Sequence, residues 1–334
     1  MTRTYGESVM QVRSGWVAVV FMAMASVMVS TTAGAQGFPN RSITFIVPNL
    51  PGGSSDLIAR AIGAKLQENI GQPVVVENKP GASEMIATEY LSRVSPDGYT
   101  IAIFSNALSI NETLSPTRRY DPQRDIIPVA KLAELPFALI VSAAVPAHSL
   151  KEFVAYAKAN PGKLSYGHVG VGAPHYLTTE WFKRAAGIQM VPVPYKSSPP
   201  VYQGLLGGEI QVHMGALGGA AQFLESGKVR ALAAMSTRRP IAFPNMPTVA
   251  EFGCPEFRLV PWMGVFTRAG TPPEIVGRLE TEVLKAAGSP DVRERLRRVG
   301  LEPSPAGSAD FTGLMTRDIA NWAQVIKDVG VKIQ

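Results

Sequence analysis

Apolar positions along the chain switch between two periods. Arg41 to Val47 (R-S-I-T-F-I-V) is apolar and β-branched on both faces, as a strand buried in a parallel sheet requires. Leu57, Ile58, Ala61, Ile62, Leu66 and Ile70 then recur at helical spacing, and Gly71 supplies the stop. Between them lies V-P-N-L-P-G-G-S-S-D, Val47 to Asp56. Pro73 to Glu77 and Tyr99 to Phe104 read as further strands, with a helix over Met85 to Val94 between them. An apolar strand over Leu135 to Ser142 restarts the pattern, and Ser149 and Glu152 are spaced as a capping box for a helix over Leu150 to Ala159. Leu164 to His168 is a strand, Val169 to Ala173 a Gly-rich turn, and Pro174 opens a helix over His175 to Ala186.

The remainder predicts a helix over Pro199 to Leu206 and a strand over Glu209 to Met214 that ends in a turn at Gly215 to Gly219. A helix closing at Phe223 to Ser226 and strands over Val229 to Met235 and Trp262 to Thr267 follow, the last returning to the first half. Two helices finish the chain. In the final one Phe311, Met315, Ile319, Trp322, Ile326 and Val329 hold one face, which is core packing. Strands that alternate with helices predict an α/β chain.

The first residues carry a different signature. Arg3 and Arg13 precede an apolar run, Trp16 to Val29, and Ala33-Gly34-Ala35 has the form of a cleavage site. Residues 1–35 therefore read as a secretory signal peptide, with Gln36 as the mature start and Met10 equally able to initiate. About 300 residues remain, which suits two domains better than one core. The single cysteine, Cys254, excludes an intramolecular disulfide and lies too far from the cleavage site to carry a lipid. The net charge of +6 is dispersed, and basic clusters such as Arg118-Arg119 and Arg293 to Arg298 sit among acids without interleaved aromatics. They read as solvated surface, not as a nucleic-acid stripe.

Candidate chemistry concentrates at two Gly-rich strand-to-helix junctions. Gly52 and Gly53 permit a tight turn with uncovered N–H groups, and Ser54 or Ser55 is placed to cap the helix. Free N–H groups and the helix dipole there suit an anion; the same stretch also reads as a tight turn that binds nothing. Ser105 and Asn106 follow a strand, where ligands bind in open parallel sheets, or else they only form the turn. His148, His168, His175 and His213 lack metal-ligand spacing, and no G-x-S-x-G elbow or dinucleotide fingerprint is present. No catalytic group, metal or cofactor is expected.

Several phrases together resemble one family. They are V-P-x-x-P-G-G-x-x-D at Val47 to Asp56, G-Q-P-V-V-V-E-N-K-P-G-A at Gly71 to Ala82, P-D-G-Y-T at Pro96 to Thr100 and Y-D-P-Q-R-D-I-I-P-V at Tyr120 to Val129. V-P-Y-K at Val193 to Lys196, L-L-G-G at Leu205 to Gly208, G-K-V-R-A-L-A at Gly227 to Ala233 and M-P-T-V-A-E at Met246 to Glu251 continue the series. The chain is similar to the Bug (TctC-like) extracytoplasmic solute receptors of tripartite tricarboxylate transporters.

The resemblance implies a type II periplasmic binding protein, monomeric, with two lobes that close on a ligand. Lobe 1 would comprise 36–135 and 261–334, and lobe 2 would comprise 136–260. It also implies a small carboxylate ligand and an inner-membrane transporter as partner. The ligand-binding positions carried over are Asn49, Leu50, Gly52, Gly53, Ser54, Ser55, Ser105, Asn106, His168, Gly170, Gly172, Ala173 and Gly215. The family usually has Phe and a small residue or Pro at Asn49 and Leu50, a hydroxyl at Ala173 and often Asp at Gly215. These departures predict a roomier, more apolar cleft without an acid, and so a ligand without an ammonium group, aromatic or dicarboxylate in body. A receptor that reports to a signalling partner, and an α/β enzyme, are the competing readings.

Overall fold

The computed structural model describes residues 37–253 and 260–331. The segment read as a signal peptide, Gln36 and Cys254 lie outside the described residues. The first run is β1 (Ile43–Val47), α1 (Ser54–Ile70), β2 (Val74–Asn78), α2 (Met85–Leu91), β3 (Thr100–Ser105), α3 (Ala107–Leu114) and β4 (Ile126–Glu134). Next come β5 (Phe137–Ser142), α4 (Leu150–Ala159), β6 (Leu164–His168), α5 (Pro174–Ala186), β7 (Met190–Pro194), α6 (Ser198–Gly207), β8 (Val212–Ala216), α7 (Leu217–Glu225) and β9 (Val229–Ala234). The chain ends with β10 (Trp262–Arg268), α8 (Pro273–Gly288), α9 (Pro290–Arg298), β11 (Glu302–Gly307) and α10 (Ser308–Val329).

Two sheets result. One has six strands in the order β11-β4-β10-β3-β1-β2, the other five in the order β7-β6-β8-β5-β9. β1 pairs parallel with β2 and β3, whereas β10 runs antiparallel to β3 and β4. In the second sheet β6 pairs parallel with β7 and β8, and β5 runs antiparallel to β8 and β9. The chain crosses from the first sheet to the second at Leu135-Pro136, between β4 and β5, and β10 brings it back. The apolar run at Leu135 is therefore the joint itself, and the strand begins two residues later.

Each sheet has its own core, as the apolar patterning requires. Ile46, Ala102, Phe104, Trp262, Phe266 and Phe311 are buried together against the first. The second buries Phe137, Leu139, Tyr166, Phe182 and Met214 on one face and Ile140, Val201, Leu205 and Ile210 on the other. A further cluster joins the halves: Ile110 and Leu114 of α3, Leu177 of α5, and Trp322, Val325 and Ile326 of α10. The Arg184 guanidinium of α5 adds a hydrogen bond to the Asp328 carbonyl of α10. A second junction is bare backbone: a Cβ placed on Gly218 in α7 would lie 1.9 Å from the Cα of Gly300, after α9.

Several local expectations need correction. Three helices follow β10, because extended Ser289 (ψ 143) and then Pro290 end α8 and start α9. β11 forms despite Pro303 and Pro305, since it is an edge strand and only four of its residues pair with β4. The capping box is half made. Ser149 Oγ accepts the Glu152 N–H at 3.2 Å, but the Glu152 carboxylate takes the N–H of His148 at 2.8 Å. Gly53, not Ser54 or Ser55, is the N-cap of α1, and no side chain caps that helix.

Candidate ligand site

β1 and β3 are parallel neighbours, with Ile46 opposite Ala102, so the loop after Val47 and the residues after Phe104 emerge side by side. The Val47-to-Asp56 loop is built around Asp56, which is buried. Its Oδ2 accepts the Gly52 N–H at 2.9 Å and Arg60 Nε at 3.0 Å, while Oδ1 accepts Arg60 and Asn78 at 2.9 and 3.0 Å. The bidentate Arg60 guanidinium, one helical turn on, is the main reason the Asp56 carboxyl is lowered to about 2. Gly52 adopts φ 83, a conformation that favours glycine.

This wiring changes which groups of the loop remain available. The Gly52 N–H is committed to Asp56, and the Gly53 N–H faces the Leu50 carbonyl at 3.4 Å. Asn49 is folded back, its Oδ1 accepting Ser55 Oγ at 2.9 Å and its carbonyl accepting Asn78 Nδ2 at 2.9 Å. What stays open is the set of first-turn amides of Ser54, Ser55 and Asp56, which precede the first helical bond from Leu57 to the Gly53 carbonyl, and the exposed Leu50 side chain.

At the end of β3 the structure adds a residue that the sequence reading missed. Glu84 Oε1 accepts Ser105 Oγ at 2.7 Å and Oε2 accepts the Ser105 N–H at 3.0 Å. Ser105 is thus already hydrogen-bonded to a carboxylate of this chain, and an acid stands beside the site where none was expected. Glu84 ends a run of three left-handed residues, Ala82, Ser83 and Glu84, at φ 46, 51 and 75. Two side chains hold that strained turn: Asn111 Nδ2 donates to the Ser83 carbonyl at 2.7 Å and Thr88 Oγ1 to the Glu84 carbonyl at 3.0 Å. Burial pushes the Glu84 carboxyl up to about 7, against the pull of the two Ser105 bonds. Asn106, next in line, is 2% exposed, and its Nδ2 has no partner among the described residues.

In the second half, the Gly170 N–H donates to His168 Nδ1 at 3.1 Å. His168 therefore carries its proton on Nε2, which is left as a donor. Burial lowers the His168 pKa, which keeps the ring neutral at pH 7. The Ala173 N–H bonds the Gly170 carbonyl at 3.1 Å and closes the turn. Like Gly52, Gly170 and Ala173 have spent their own amides; among the described residues no acceptor takes those of Val171 and Gly172. Val171, like Leu50 in the other loop, is an exposed apolar side chain.

Gly215 is not in a turn. It lies within β8, opposite Ala138, and α7 begins at Leu217. The space a side chain would take is filled by the His213 ring: a Cβ at Gly215 would lie 2.0 Å from His213 Nε2. The glycine therefore makes room for a histidine and does not widen the cleft. His213 Nδ1 lies 3.0 Å from the Gly167 carbonyl, which can only accept, so Nδ1 carries the proton and buried Nε2 has no partner. The ring stacks on His175 at 5.4 Å and meets Tyr202 edge-on at 5.3 Å. Burial lowers His175 to about 3 and His213 to about 4, so both are neutral at pH 7.

α3 and α5 both pack against α10, Ile110, Leu114 and Leu177 sharing one buried cluster with Trp322, Val325 and Ile326, which ties the helix capped by Asn106 to the helix that begins at Pro174. The uncommitted groups of the predicted site include six donors: the Ser54 and Ser55 amides, Asn106 Nδ2, His168 Nε2, and the Val171 and Gly172 amides. Such a set suits an anionic acceptor without a guanidinium. Among the described residues no group of three or more His, Cys, Asp and Glu side chains is arranged to hold a metal ion.

Comparison with known proteins agrees on one relationship. A family described as "Tripartite tricarboxylate transporter family receptor" matches residues 58–331. The protein BugT of Bordetella pertussis is 33% identical over 319 residues, 95% of this chain and 98% of BugT. Among solved structures, R. palustris Rpa4515 with adipate superimposes with a TM-score of 0.76 at 35% identity, over 88% of this chain and 99% of that one. MatC from Rhodopseudomonas palustris with bound malate gives 0.71 at 30% identity, over 86% of this chain and 100% of that one.

Proposed function

The chain belongs to the family of tripartite tricarboxylate transporter receptors, and on that premise we propose that it captures a small carboxylate in the periplasm for such a transporter. The signal peptide at 1–35 is removed on export. Residues 36–135 and 261–334 act as one lobe and 136–260 as the other, and the monomer closes on its ligand without chemistry of its own. The observation that carries this reading is the buried, unpartnered Asn106 Nδ2, at the N-cap of α3, which shares a buried cluster with α5 and α10. An unpaired buried donor is costly and is satisfied when an acceptor arrives. The adipate and malate seen in related structures support a dicarboxylate as that acceptor.

The expectation of an ammonium-free ligand no longer rests on Gly215. It rests on Glu84, whose two oxygens are each engaged by Ser105. The test is a calorimetric panel of adipate, succinate, malate, phthalate, aspartate and glutamate, with each mixture followed by NMR for turnover. Adipate or another ammonium-free acid should bind and stay intact. Asn106→Ala should weaken that binding by about 0.5–1.5 kcal/mol, roughly 2- to 10-fold in Kd. Tight binding of aspartate alone, or consumption of the ligand, would overturn the reading.

A further inference from the structure

A cavity of about 580 Å³ lies between α7 of the second sheet's half and the α9–β11 turn of the first. None of the candidate ligand-site residues lines it. Its walls include Leu217, Ile241, Phe243 and Leu301, and its basic side is formed by Arg293, Arg297 and Arg298 of α9, the first two one turn apart. Ile241 at the rim is 78% exposed, an uncovered large apolar side chain beside an apolar hollow. Among the described residues neither Arg293 nor Arg297 has an acidic partner, whereas their neighbour Arg298 pairs with Glu294 at 3.1 Å. The one acid in the lining, Glu302, is tied to the Ala242 N–H at 3.2 Å. Its floor is the Gly218–Gly300 backbone contact, so the space is bounded by both halves of the chain.

Volume, apolar walls and a few convergent charges are the usual attributes of a small-molecule site. We infer that this cavity is a second binding site, separate from the candidate ligand site, for a small organic anion with an apolar body: a carboxylate paired to Arg293 and Arg297, its hydrocarbon against Leu217, Ile241, Phe243 and Leu301. Two adjacent guanidiniums select for the anion, and the walls select for the chain. A neutral molecule of the same shape would forfeit the charge-assisted bonds.

The probe is octanoate, with 1-octanol as its neutral counterpart, titrated into the mature protein and followed by NMR of ¹³C-labelled probe. Octanoate should saturate one site and 1-octanol should bind at least tenfold more weakly. Arg293→Gln/Arg297→Gln removes only exposed charges and should weaken octanoate at least tenfold, with the melting temperature and adipate affinity unchanged. Absence of octanoate binding, equal binding by the double variant, or displacement of octanoate by adipate would each overturn the proposal. Adipate is titrated separately, so failure of the carboxylate-receptor reading leaves the octanoate result able to decide this one.

Discussion

Replacing Gly215 by alanine adds one methyl group to β8 at a place where the backbone would accept it and the neighbourhood would not. The new Cβ would stand 2.0 Å from His213 Nε2 and 2.4 Å from Cδ2, where ordinary contact begins near 3.4 Å, so the ring has to move by more than an ångström. The ring is fully buried and pinned from three directions, by the Gly167 carbonyl at 3.0 Å, His175 at 5.4 Å and Tyr202 at 5.3 Å. Shifting it strands a buried imidazole N–H and a carbonyl and overpacks its surroundings, a combined loss of roughly 2–6 kcal/mol. Equilibrium urea unfolding, followed by circular dichroism, measures it. His213→Ala removes the obstacle, so Gly215→Ala should cost less than about 0.5 kcal/mol in that background, and the non-additivity is the signature of direct contact. A single variant within about 0.5 kcal/mol of the parent, or an equal penalty in both backgrounds, would refute the packing argument.

Three further outcomes follow from the site's charges. The folded-state pKa of Asp56, about 2, lies below its ordinary 3.8, so its contribution is complete above about pH 4 and lost as pH falls towards 2. Asp56→Asn should melt earlier than the parent at neutral pH, with the two curves converging below pH 2; parallel curves would contradict this. Glu84 is displaced the other way, from 4.5 up to about 7, so stability present below pH 4.5 is lost as pH rises through 7. Glu84→Gln should flatten that limb of a melting-temperature profile, leaving the slope supplied by Asp318, which burial pushes up likewise to about 7. Ser105→Ala leaves Glu84 Oε1 and the Ala107 N–H without their Ser105 Oγ partner; by differential scanning calorimetry it should lose about 1–3 kcal/mol of stability, while adipate affinity changes little.

The fold was largely legible because its strands are buried on both faces and its helices carry clean apolar stripes. β1, β3 and β6 and the helices after them appear within a few residues of where periodicity sets them. β4 and β11 escaped because a Pro within an edge or crossing strand looks like a breaker until its partner is known. The two Gly-rich loops were legible as loops, but not the bookkeeping of their amides. Asp56 and Arg60, four apart on a helix, could have signalled that a carboxylate would claim a loop N–H. Nothing local marks Glu84: it reaches Ser105, 21 residues on, through a left-handed turn without glycine. Gly215 was misread because its reason is tertiary, the rotamer of a histidine two residues back.

The meeting of Gly218 with Gly300 has an evolutionary consequence. A methyl on Gly218 would fall 1.9 Å from the Cα of Gly300, and one on Gly300 would fall 2.6 Å from the Cα of Gly218. Crowding between ordinary side chains can be relieved by trimming the partner, so such positions drift in compensated pairs. Here neither partner can be made smaller, and no substitution at one glycine can rescue a change at the other. Gly300, at φ +80, is bound to glycine by its own backbone as well. Divergence at this crossing therefore has to proceed through insertions or deletions that move the α9–β11 turn, and a lineage that keeps the turn length inherits both glycines as a unit.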